Sequence, residues 1–187
     1  MSGKFDVAET PLAGLKLITR KPIGDARGFL ERMFCTEDLA EAGVDWQPVQ
    51  VNRTLTQKAG TVRGMHFQRP PHAEVKFVHC LRGAVYDVAV DLRRGSPTYG
   101  KWSGAELSAD NHRALLIPRG FAHGFQTLID DVEMLYFHST AYAPAAEGGV
   151  NHADPRLAIA WPLPIAETSA RDAALPQFTE DFESIYA

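Results

Sequence analysis

The chain has 187 residues, of which 45% are hydrophobic and 22% charged, and its formal net charge is −4. This length suits one domain with a full core over residues 1–187, and the negative charge argues against general binding of nucleic acid, which needs a basic surface. No apolar run is long enough to cross a membrane, and residues 1–14 lack the apolar core of a signal peptide, so we expect a cytoplasmic protein.

The N-terminal part of the chain predicts a strand, a turn and a short helix. Residues 12–19 (LAGLKLIT) have the composition of a strand, and DARG (25–28) follows as a turn. Residues 36–43 (TEDLAEAG) predict a helix that has Thr36 as its N-cap, acidic residues in its first turn and Gly43 at its end.

Strands dominate the remainder of the chain. Residues 74–81 and 84–92 are two β-type runs joined by Arg82 and Gly83, a pair typical of a tight turn. Residues 113–118, 132–140 and 154–162 are further strand candidates, and residues 169–176 predict a last short helix. Many short strands with few helices favour an antiparallel sandwich or barrel.

The segment VRGMHFQRPPHAEVKFVHC (62–80) holds three of the seven histidines and raises the question of a metal site. Small barrels of the cupin type bind metal through a His-x-His motif with a later Glu, and through Pro-x-Gly-x-x-His. The second motif is present at residues 118–123, but Gln68 stands where the first needs its second histidine. Glutamine is a poor ligand for zinc or iron, so we expect no metal cofactor, while a site of His66, His123 and Glu74 stays open as an alternative.

The other two histidines of this segment have simpler interpretations. His72 follows two prolines and is expected in an exposed loop. His79 lies three residues after Lys76, so the two side chains point to opposite faces of one strand. If Lys76 faces a pocket, His79 does not.

Ordered matches to one known family extend over nearly the whole chain. They include DARGF (25–29), QVN (50–52), VRGMHFQ (62–68), YDVAVDLRRGSPTYGKW (86–102), IPRGFAHGF (117–125), ADPRLAIAWP (153–162) and SARD (169–172). On these segments the chain resembles the dTDP-4-dehydrorhamnose 3,5-epimerase family. The resemblance implies an all-β fold, a cupin-type double-stranded β-helix or jelly roll with a few short helices. It also implies catalysis without a cofactor and a homodimer in which the N-terminal strand crosses over, so that Arg27 completes the partner's site.

Epimerisation beside a ketone needs a base on one face of the sugar, an acid on the other and a group that stabilises the enolate. The resemblance implies that His66 is the base, Tyr136 the acid and Lys76 the enolate stabiliser. It implies that Asp172 holds His66 in the correct tautomer. Asp172 also fits a simpler role, because Ser169 and Asp172 have the spacing of a helix capping box.

The implied substrate is a nucleotide-linked 4-keto-6-deoxyhexose, inverted at C3, C5 or both. The resemblance assigns its binding to Arg27, Gln50, Asn52, Arg63, His123, Tyr142, Glu147 and Arg171. Arginine suits a diphosphate because its planar guanidinium forms paired, charge-assisted hydrogen bonds. His123 also fits a core histidine, and Tyr142 either stacks on the base or packs in the barrel.

Two departures from the family pattern lie near these residues. Arg32 occupies the position of a usual glutamate, and Glu31 is displaced by one residue, which in a strand places it on the other face. This change leaves open a CDP- or GDP-linked substrate, or a single-centre epimerase. Glu74 replaces a common glutamine, and because it lies two residues before Lys76, strand alternation predicts that the two can pair.

Overall fold

The computed structural model describes residues 3–180, 182 and 185. Its strands are β1 (Phe5–Glu9), β2 (Lys16–Arg20), β3 (Ile23–Asp25), β4 (Gly28–Leu30), β5 (Gln50–Thr56), β6 (Val62–Gln68), β7 (Lys76–Arg82), β8 (Ala84–Asp91), β9 (Trp102–Ser108), β10 (Arg113–Ile117), β11 (Phe121–Thr127), β12 (Val132–His138) and β13 (Glu147–Gly149). The helices are α1 (Thr36–Leu39) and α2 (Ala170–Ala173), with single 3₁₀ turns at Ala40–Ala42 and Pro144–Ala146. None of these described helices has the length and apolar composition that a membrane span requires.

Two antiparallel sheets face each other. The first has six strands in the order β1-β2-β10-β7-β12-β5, and the second has five in the order β13-β6-β11-β8-β9. Side chains from both sheets, among them Val78, Leu115, Phe121 and Met134, form one buried cluster between them. The all-β jelly-roll architecture is confirmed, and the space between the sheets is where inward-facing side chains of both can meet.

Strand β8 has buried valine or alanine side chains on both faces because both faces are covered. Val85 and Ala89 belong to the cluster between the sheets. Val88 and Val90 point the other way and pack in a second cluster with Leu157 and other residues of the C-terminal segment. Successive residues of β8 therefore alternate between the two clusters, and the C-terminal segment is held against the outer face of the five-stranded sheet.

The helix predicted over residues 36–43 is shorter than expected and is capped differently. It is α-helical over Thr36–Leu39, continues as the 3₁₀ turn and ends at Gly43, whose φ of 83° is left-handed. Cys35 occupies the N-cap position, with no side-chain hydrogen bond to the helix. The prediction of Thr36 as the cap is wrong, because Thr36 is already the first helical residue.

The link at Arg82 and Gly83 is not a hairpin. Strands β7 and β8 have the predicted positions, but β7 belongs to the six-stranded sheet and β8 to the five-stranded one. The turn therefore carries the chain from one sheet to the other.

The strand predicted at 12–19 is also displaced, because regular pairing begins only at Lys16.

Residues 154–162, all of them described, form a turn at 155–157 and irregular chain rather than the predicted strand. The Asp154 carboxylate accepts hydrogen bonds from the backbone N–H groups of Arg156 and Leu157, and Ala158 has a φ of 47°. The apolar alternation of this segment has another cause. Leu157, Ile159 and Trp161 pack on the outer cluster of the five-stranded sheet.

Candidate active site

Three adjoining cavities open between the two sheets, and His66 lines all of them. The inner cavity, of about 190 Å³, is lined by Asn52, Thr54, Arg63, His66, Lys76, His123, Phe125, Tyr136 and His138. The outer cavity, of about 520 Å³, includes Gln50, Asn52, His66, Gln68, Glu74, Lys76, His138, Tyr142, Glu147 and Arg171. The side cavity, of about 480 Å³, includes Arg63, His66, Ser169, Arg171 and Asp172. A polar cleft that converges on one histidine is typical of an active site.

His66 and Asp172 form a hydrogen-bonded pair. His66 Nε2 lies 2.8 Å from Asp172 Oδ1, and the backbone N–H of Gly64 donates to Asp172 Oδ2 at 3.1 Å. Burial alone would raise the pKa of Asp172, but the hydrogen bonds from His66 and Gly64 outweigh it and lower that pKa. A carboxylate beside Nε2 places the proton of neutral His66 on that nitrogen, so Nδ1 keeps the lone pair that a base needs.

Asp172 also takes part in the helix cap. Its backbone N–H donates to Ser169 Oγ at 3.0 Å, as the capping interpretation predicts. The cap uses the main chain and the contact with His66 uses the side chain. The two interpretations are therefore compatible, and α2 serves to hold the carboxylate behind His66.

The position of His66 depends on a close approach between the backbones of β6 and β11. Gly64 in β6 has a φ of 131°, and a Cβ there would lie 2.5 Å from Gly124 Cα and 2.9 Å from the carbonyl oxygen of His123 in β11. Only glycine fits such a contact. The register between β6 and β11 shifts at this point, where His123 pairs with His66 and Phe125 with Arg63.

Tyr136 lies on the opposite wall, because β12 belongs to the six-stranded sheet and β6 to the five-stranded one. Its side chain lines the inner cavity and is only 9% exposed. Burial raises the pKa of its phenol, which keeps the group protonated and able to donate a proton. A base and an acid therefore face the same cavity from opposite sheets.

Lys76 forms the predicted pair with Glu74. Its Nζ lies 3.3 Å from Glu74 Oε1 and 3.4 Å from the backbone oxygen of His66. Glu74 Oε2 in turn lies 2.6 Å from His138 Nδ1. Burial opposes the ionisation of Glu74, but the Lys76 charge and the His138 hydrogen bond outweigh it, and the pKa of Glu74 is lowered. The ammonium of Lys76 thus lies at the inner and outer cavities, with the carboxylate of Glu74 as its counter-charge.

His123 is hydrogen-bonded in the manner of a core histidine and also lies at the inner cavity. Its Nε2 lies 2.8 Å from Asp87 Oδ1, a carboxylate with no exposed surface, and its ring lines the inner cavity. Asp87 and His138 were not among the predicted site residues. Alternation gives a signal for His138, because it lies two residues after Tyr136 on the same strand.

Five of the eight predicted substrate-binding residues line the outer cavity, namely Gln50, Asn52, Tyr142, Glu147 and Arg171. The backbone N–H of Tyr142 donates to Gln50 Oε1 at 3.0 Å, and the Tyr142 hydroxyl donates to Glu147 Oε2 at 2.6 Å. Arg171 forms an ion pair with the same Glu147. Asn52 lines both the inner and the outer cavity, and Arg63 lines the inner and side cavities.

Arg27 is the predicted site residue that the single chain does not bring to the cleft. It lies in the turn of the β3–β4 hairpin, is 89% exposed and pairs with Asp25.

Arg32, which follows this hairpin, pairs with Asp38 of α1 at 2.6 Å. The displaced Glu31 points inward, and its Oε1 lies 3.0 Å from Arg20 Nε and 2.7 Å from His112 Nδ1. Neither Arg32 nor Glu31 lines the three cavities of the cleft.

The three histidines of residues 62–80 are separated as predicted. His72 is exposed in a loop, and His79 is fully buried on the far side of β7, where Arg20 Nη1 donates to its Nδ1 at 2.6 Å. Among the described residues, no three His, Cys, Asp or Glu side chains are arranged as metal ligands. The side chains of His66, His123 and Glu74 instead bond to Asp172, Asp87 and His138.

Comparison with known proteins gives one consistent result. The family model described as dTDP-4-dehydrorhamnose 3,5-epimerase matches residues 9–180. The chain is 42% identical over 170 residues to the 3,5-epimerase of Sinorhizobium fredii, covering 90% of this chain and 87% of that protein. It is 41% identical over 162 residues to a dTDP-4-dehydrorhamnose 3-epimerase of Streptomyces niveus, covering 86% and 78%.

Solved structures agree with these relatives. The 3,5-epimerase of Bacillus anthracis, crystallised with TDP and pyrophosphate, is similar with a TM-score of 0.90 and 42% identity, over 93% of this chain and 99% of that one. The Legionella pneumophila enzyme in complex with dTDP-4-keto-L-rhamnose gives a TM-score of 0.86 and 38% identity, over 94% and 99%.

Proposed function

This chain belongs to the dTDP-4-dehydrorhamnose 3,5-epimerase family, and we propose that it inverts C3 and C5 of dTDP-4-dehydro-6-deoxyglucose by proton transfer between His66 and Tyr136. It is an isomerase of nucleotide sugars. One observation carries the assignment of the reacting groups. The His66–Asp172 pair and Tyr136 face the same inner cavity from opposite sheets, with Lys76 beside them.

The proposed reaction has two proton transfers at each carbon. His66 Nδ1 removes the proton next to the C4 ketone, and Asp172 stabilises the imidazolium that forms. The electron pair moves onto the C4 oxygen, where the ammonium of Lys76 stabilises the negative charge of the enolate. Tyr136 then donates its proton to the other face of the same carbon. Exchange with solvent returns a proton to Tyr136 and removes one from His66.

The outer and side cavities are the proposed place of the nucleotide diphosphate. Arg63 and Arg171 supply cationic forks for phosphate oxygens, and the half-exposed Tyr142 supplies an aromatic surface for the base. Gln50 and Asn52 supply amide groups near that ring. The TDP bound to the Bacillus anthracis relative supports a thymidine nucleotide as the ligand. Arg32 pairs with Asp38 within its own chain, which gives no support to the CDP or GDP alternative.

We also propose a homodimer in which the β3–β4 hairpin, residues 23–30, reaches the cleft of the partner. Ile23, Phe29 and Leu30 on this hairpin are 56%, 66% and 65% exposed, which is unusual for large apolar side chains. A partner surface would cover them. The same docking would bring the exposed Arg27 to the phosphate groups of the nucleotide bound in the other subunit's cleft.

A cytoplasmic location is part of the proposal. Both cysteines, Cys35 and Cys80, are free thiols, as expected where glutathione keeps thiols reduced.

Deuterium exchange tests the proposed function directly. The protein is incubated with dTDP-4-dehydro-6-deoxyglucose in deuterated water, and the C3 and C5 positions are followed by NMR. Deuterium at both carbons with formation of dTDP-4-dehydrorhamnose is the expected result. Exchange at C3 alone would make the protein a single-centre epimerase like the Streptomyces niveus relative. Absence of exchange at either carbon would overturn the proposal, and stronger binding of CDP or GDP than dTDP would overturn the nucleotide assignment.

A further inference from the structure

His138 and Glu74 form a third imidazole–carboxylate pair in the cleft, besides His66–Asp172 and His123–Asp87. We propose that His138 is a specificity-determining residue, whose Nε2 accepts a hydrogen bond from a hydroxyl group of the substrate hexose. The inference deepens the proposed function and rests on it, because it takes the 4-keto-6-deoxyhexose as the occupant of the inner cavity.

The pair is built into the wall of the cleft. In the β7–β12 ladder His138 lies directly opposite Lys76, so the two side chains share a face of the sheet. Glu74 reaches both, with Oε1 at 3.3 Å from Lys76 Nζ and Oε2 at 2.6 Å from His138 Nδ1. The side chains of Glu74 and His138 are only 8% and 11% exposed. Burial and two partners therefore hold this carboxylate in place.

The carboxylate determines which nitrogen of His138 faces the substrate. A carboxylate next to Nδ1 accepts a hydrogen bond from that nitrogen, so neutral His138 carries its hydrogen on Nδ1 and a lone pair on Nε2. The ring is also held by stacking on Tyr136, at 6.1 Å between centroids and 19° between planes. Nε2 is thus an acceptor with a fixed direction.

The neighbourhood of Nε2 leaves room for a donor from the substrate. His138 lines both the inner and the outer cavity, at their junction. The polar contact that the structure gives to Nε2 is Asn52 Nδ2 at 3.5 Å. That distance is long for a hydrogen bond, and a hydroxyl at about 2.8 Å would be a much better partner.

The chemistry of the sugar limits the donor to two groups. In a nucleotide-linked 4-keto-6-deoxyhexose, C1 carries the diphosphate, C4 is the ketone, C5 bears the ring oxygen and C6 has no hydroxyl. The free hydroxyl groups are therefore those at C2 and C3. Recognition of a substrate hydroxyl by a buried acceptor gives strong discrimination, because an analogue without that hydroxyl leaves the acceptor unpaired.

The test compares three substrates in three proteins, and Glu74→Gln is added as a fourth. The substrates are the dTDP-linked 4-keto-6-deoxyhexose and its 2-deoxy and 3-deoxy analogues, and the proteins are wild type, His138→Phe and the control His72→Phe in the exposed loop. Phenylalanine keeps a ring against Tyr136 but has no nitrogen. The readout is the kcat/KM of deuterium exchange at C5, or at C3 if the wild-type protein exchanges only there.

We expect wild type and His72→Phe to lose about 10- to 100-fold in kcat/KM on one of the two deoxy analogues. His138→Phe should lose a similar factor on the parent sugar and show no further loss on that analogue. Because each protein is compared with itself across substrates, a smaller folded fraction does not change the ratio. Glu74→Gln, which keeps an acceptor but no charge, should give a ratio between those of wild type and His138→Phe.

Three outcomes would overturn the inference. The first is that wild type discriminates against neither analogue. The second is that His138→Phe keeps the wild-type ratio of kcat/KM values, and the third is that the control His72→Phe loses this ratio as well. If His138→Phe instead binds dTDP itself more weakly, with the ratio unchanged, His138 is a contact of the nucleotide and the inference is equally wrong. Failure of the proposed function is a separate result, in which wild type exchanges none of the three sugars.

Discussion

Asp172 contacts His66 through its side chain and Ser169 through its backbone N–H, so its catalytic role and its capping role can be tested separately. In Asp172→Asn the backbone N–H still donates to Ser169 Oγ, but the amide no longer fixes the proton of His66 on Nε2. We expect kcat to fall on the order of 10³- to 10⁴-fold. Some stability at pH 7 should also be lost, because the hydrogen bonds of this carboxylate lower its pKa in the folded protein. Ser169→Ala is the matched control. It should lower stability by about 1 kcal/mol and leave most of the activity. Similar losses of activity in both variants would reduce Asp172 to a capping residue.

Tyr136→Phe separates proton removal from proton delivery. His66 remains able to remove a proton and return a deuteron to the same face, while the donor on the opposite face is absent. Deuterium should therefore enter the substrate without inversion, and formation of the epimer should fall about 10²- to 10⁴-fold. Both quantities are read from one NMR experiment. Tyr86→Phe, on the outer face of β8, is the control and should invert normally. Equal loss of exchange and inversion in Tyr136→Phe would contradict the assignment of Tyr136 as the acid.

Single residues of the site were predictable where strand alternation or the family pattern applied to them. His79 was separated from Lys76 by its odd spacing, and the structure confirms that it faces Arg20 instead. His138 has the same kind of signal, because it is two residues from Tyr136. Alternation also places the Asp87 carboxylate on the inward face of β8 with Val85 and Ala89, but it does not reveal its partner His123, which lies on a strand far away in sequence. Side-chain pairs of this kind depend on strand order, which local patterns do not encode.

The positions of strands were predicted well where burial determines the sequence pattern. The pattern did not show which sheet a strand joins, or whether a buried segment pairs as a strand at all. The strand β8 has buried apolar side chains on both faces and was found within one residue of each end. The chemistry of Arg82 and Gly83 suits a sharp turn, but the same chemistry serves a hairpin and a crossing between sheets. Residues 154–162 alternate because they pack on a sheet, and packing produces this period without strand pairing.

The turn from β8 to β9 depends on one carboxylate, and this gives a prediction on pH. Asp91 Oδ2 accepts hydrogen bonds from Ser96 Oγ and Thr98 Oγ1, both at 2.6 Å, and Asp91 Oδ1 accepts from Arg93 Nε at 2.9 Å. Burial alone would raise the pKa of Asp91, but these hydrogen bonds outweigh it and lower the pKa to about 2.

Because the folded pKa lies below the unfolded one, Asp91 stabilises the fold above about pH 4 and loses that contribution as the pH falls toward 2. The shift corresponds to about 2 kcal/mol. Asp91→Asn should therefore be less stable than wild type at pH 7 by at least about that amount, and the difference should shrink between pH 5 and pH 2. Urea unfolding across this range measures it, with the exposed Asp110→Asn as control. A difference that is constant with pH would contradict the role of the charge.

At the scale of the whole molecule, the packing of one chain does not explain the exposed apolar side chains of the β3–β4 hairpin. Its three large apolar side chains are exposed, and its arginine is remote from the other predicted binding residues. Its base is held firmly, because Glu31 pairs with the buried Arg20. A hairpin that is fixed at its base and apolar along its length is suited to dock on a second copy of the chain.

Mixed dimers test whether the hairpin crosses to the partner. Arg27→Ala should weaken the phosphate contacts of every site, and His66→Ala should remove the base from every site, so each pure variant should be nearly inactive at low substrate concentration. After unfolding and refolding together, half of the dimers contain one chain of each kind. If Arg27 acts in the partner's cleft, one site of each hybrid combines the intact His66 of one chain with the intact Arg27 of the other. Activity should then return to about a quarter of the wild-type level, because half of the dimers have one working site out of two. If Arg27 acts within its own chain, no hybrid has a complete site, and the mixture should be no more active than the average of the two pure variants.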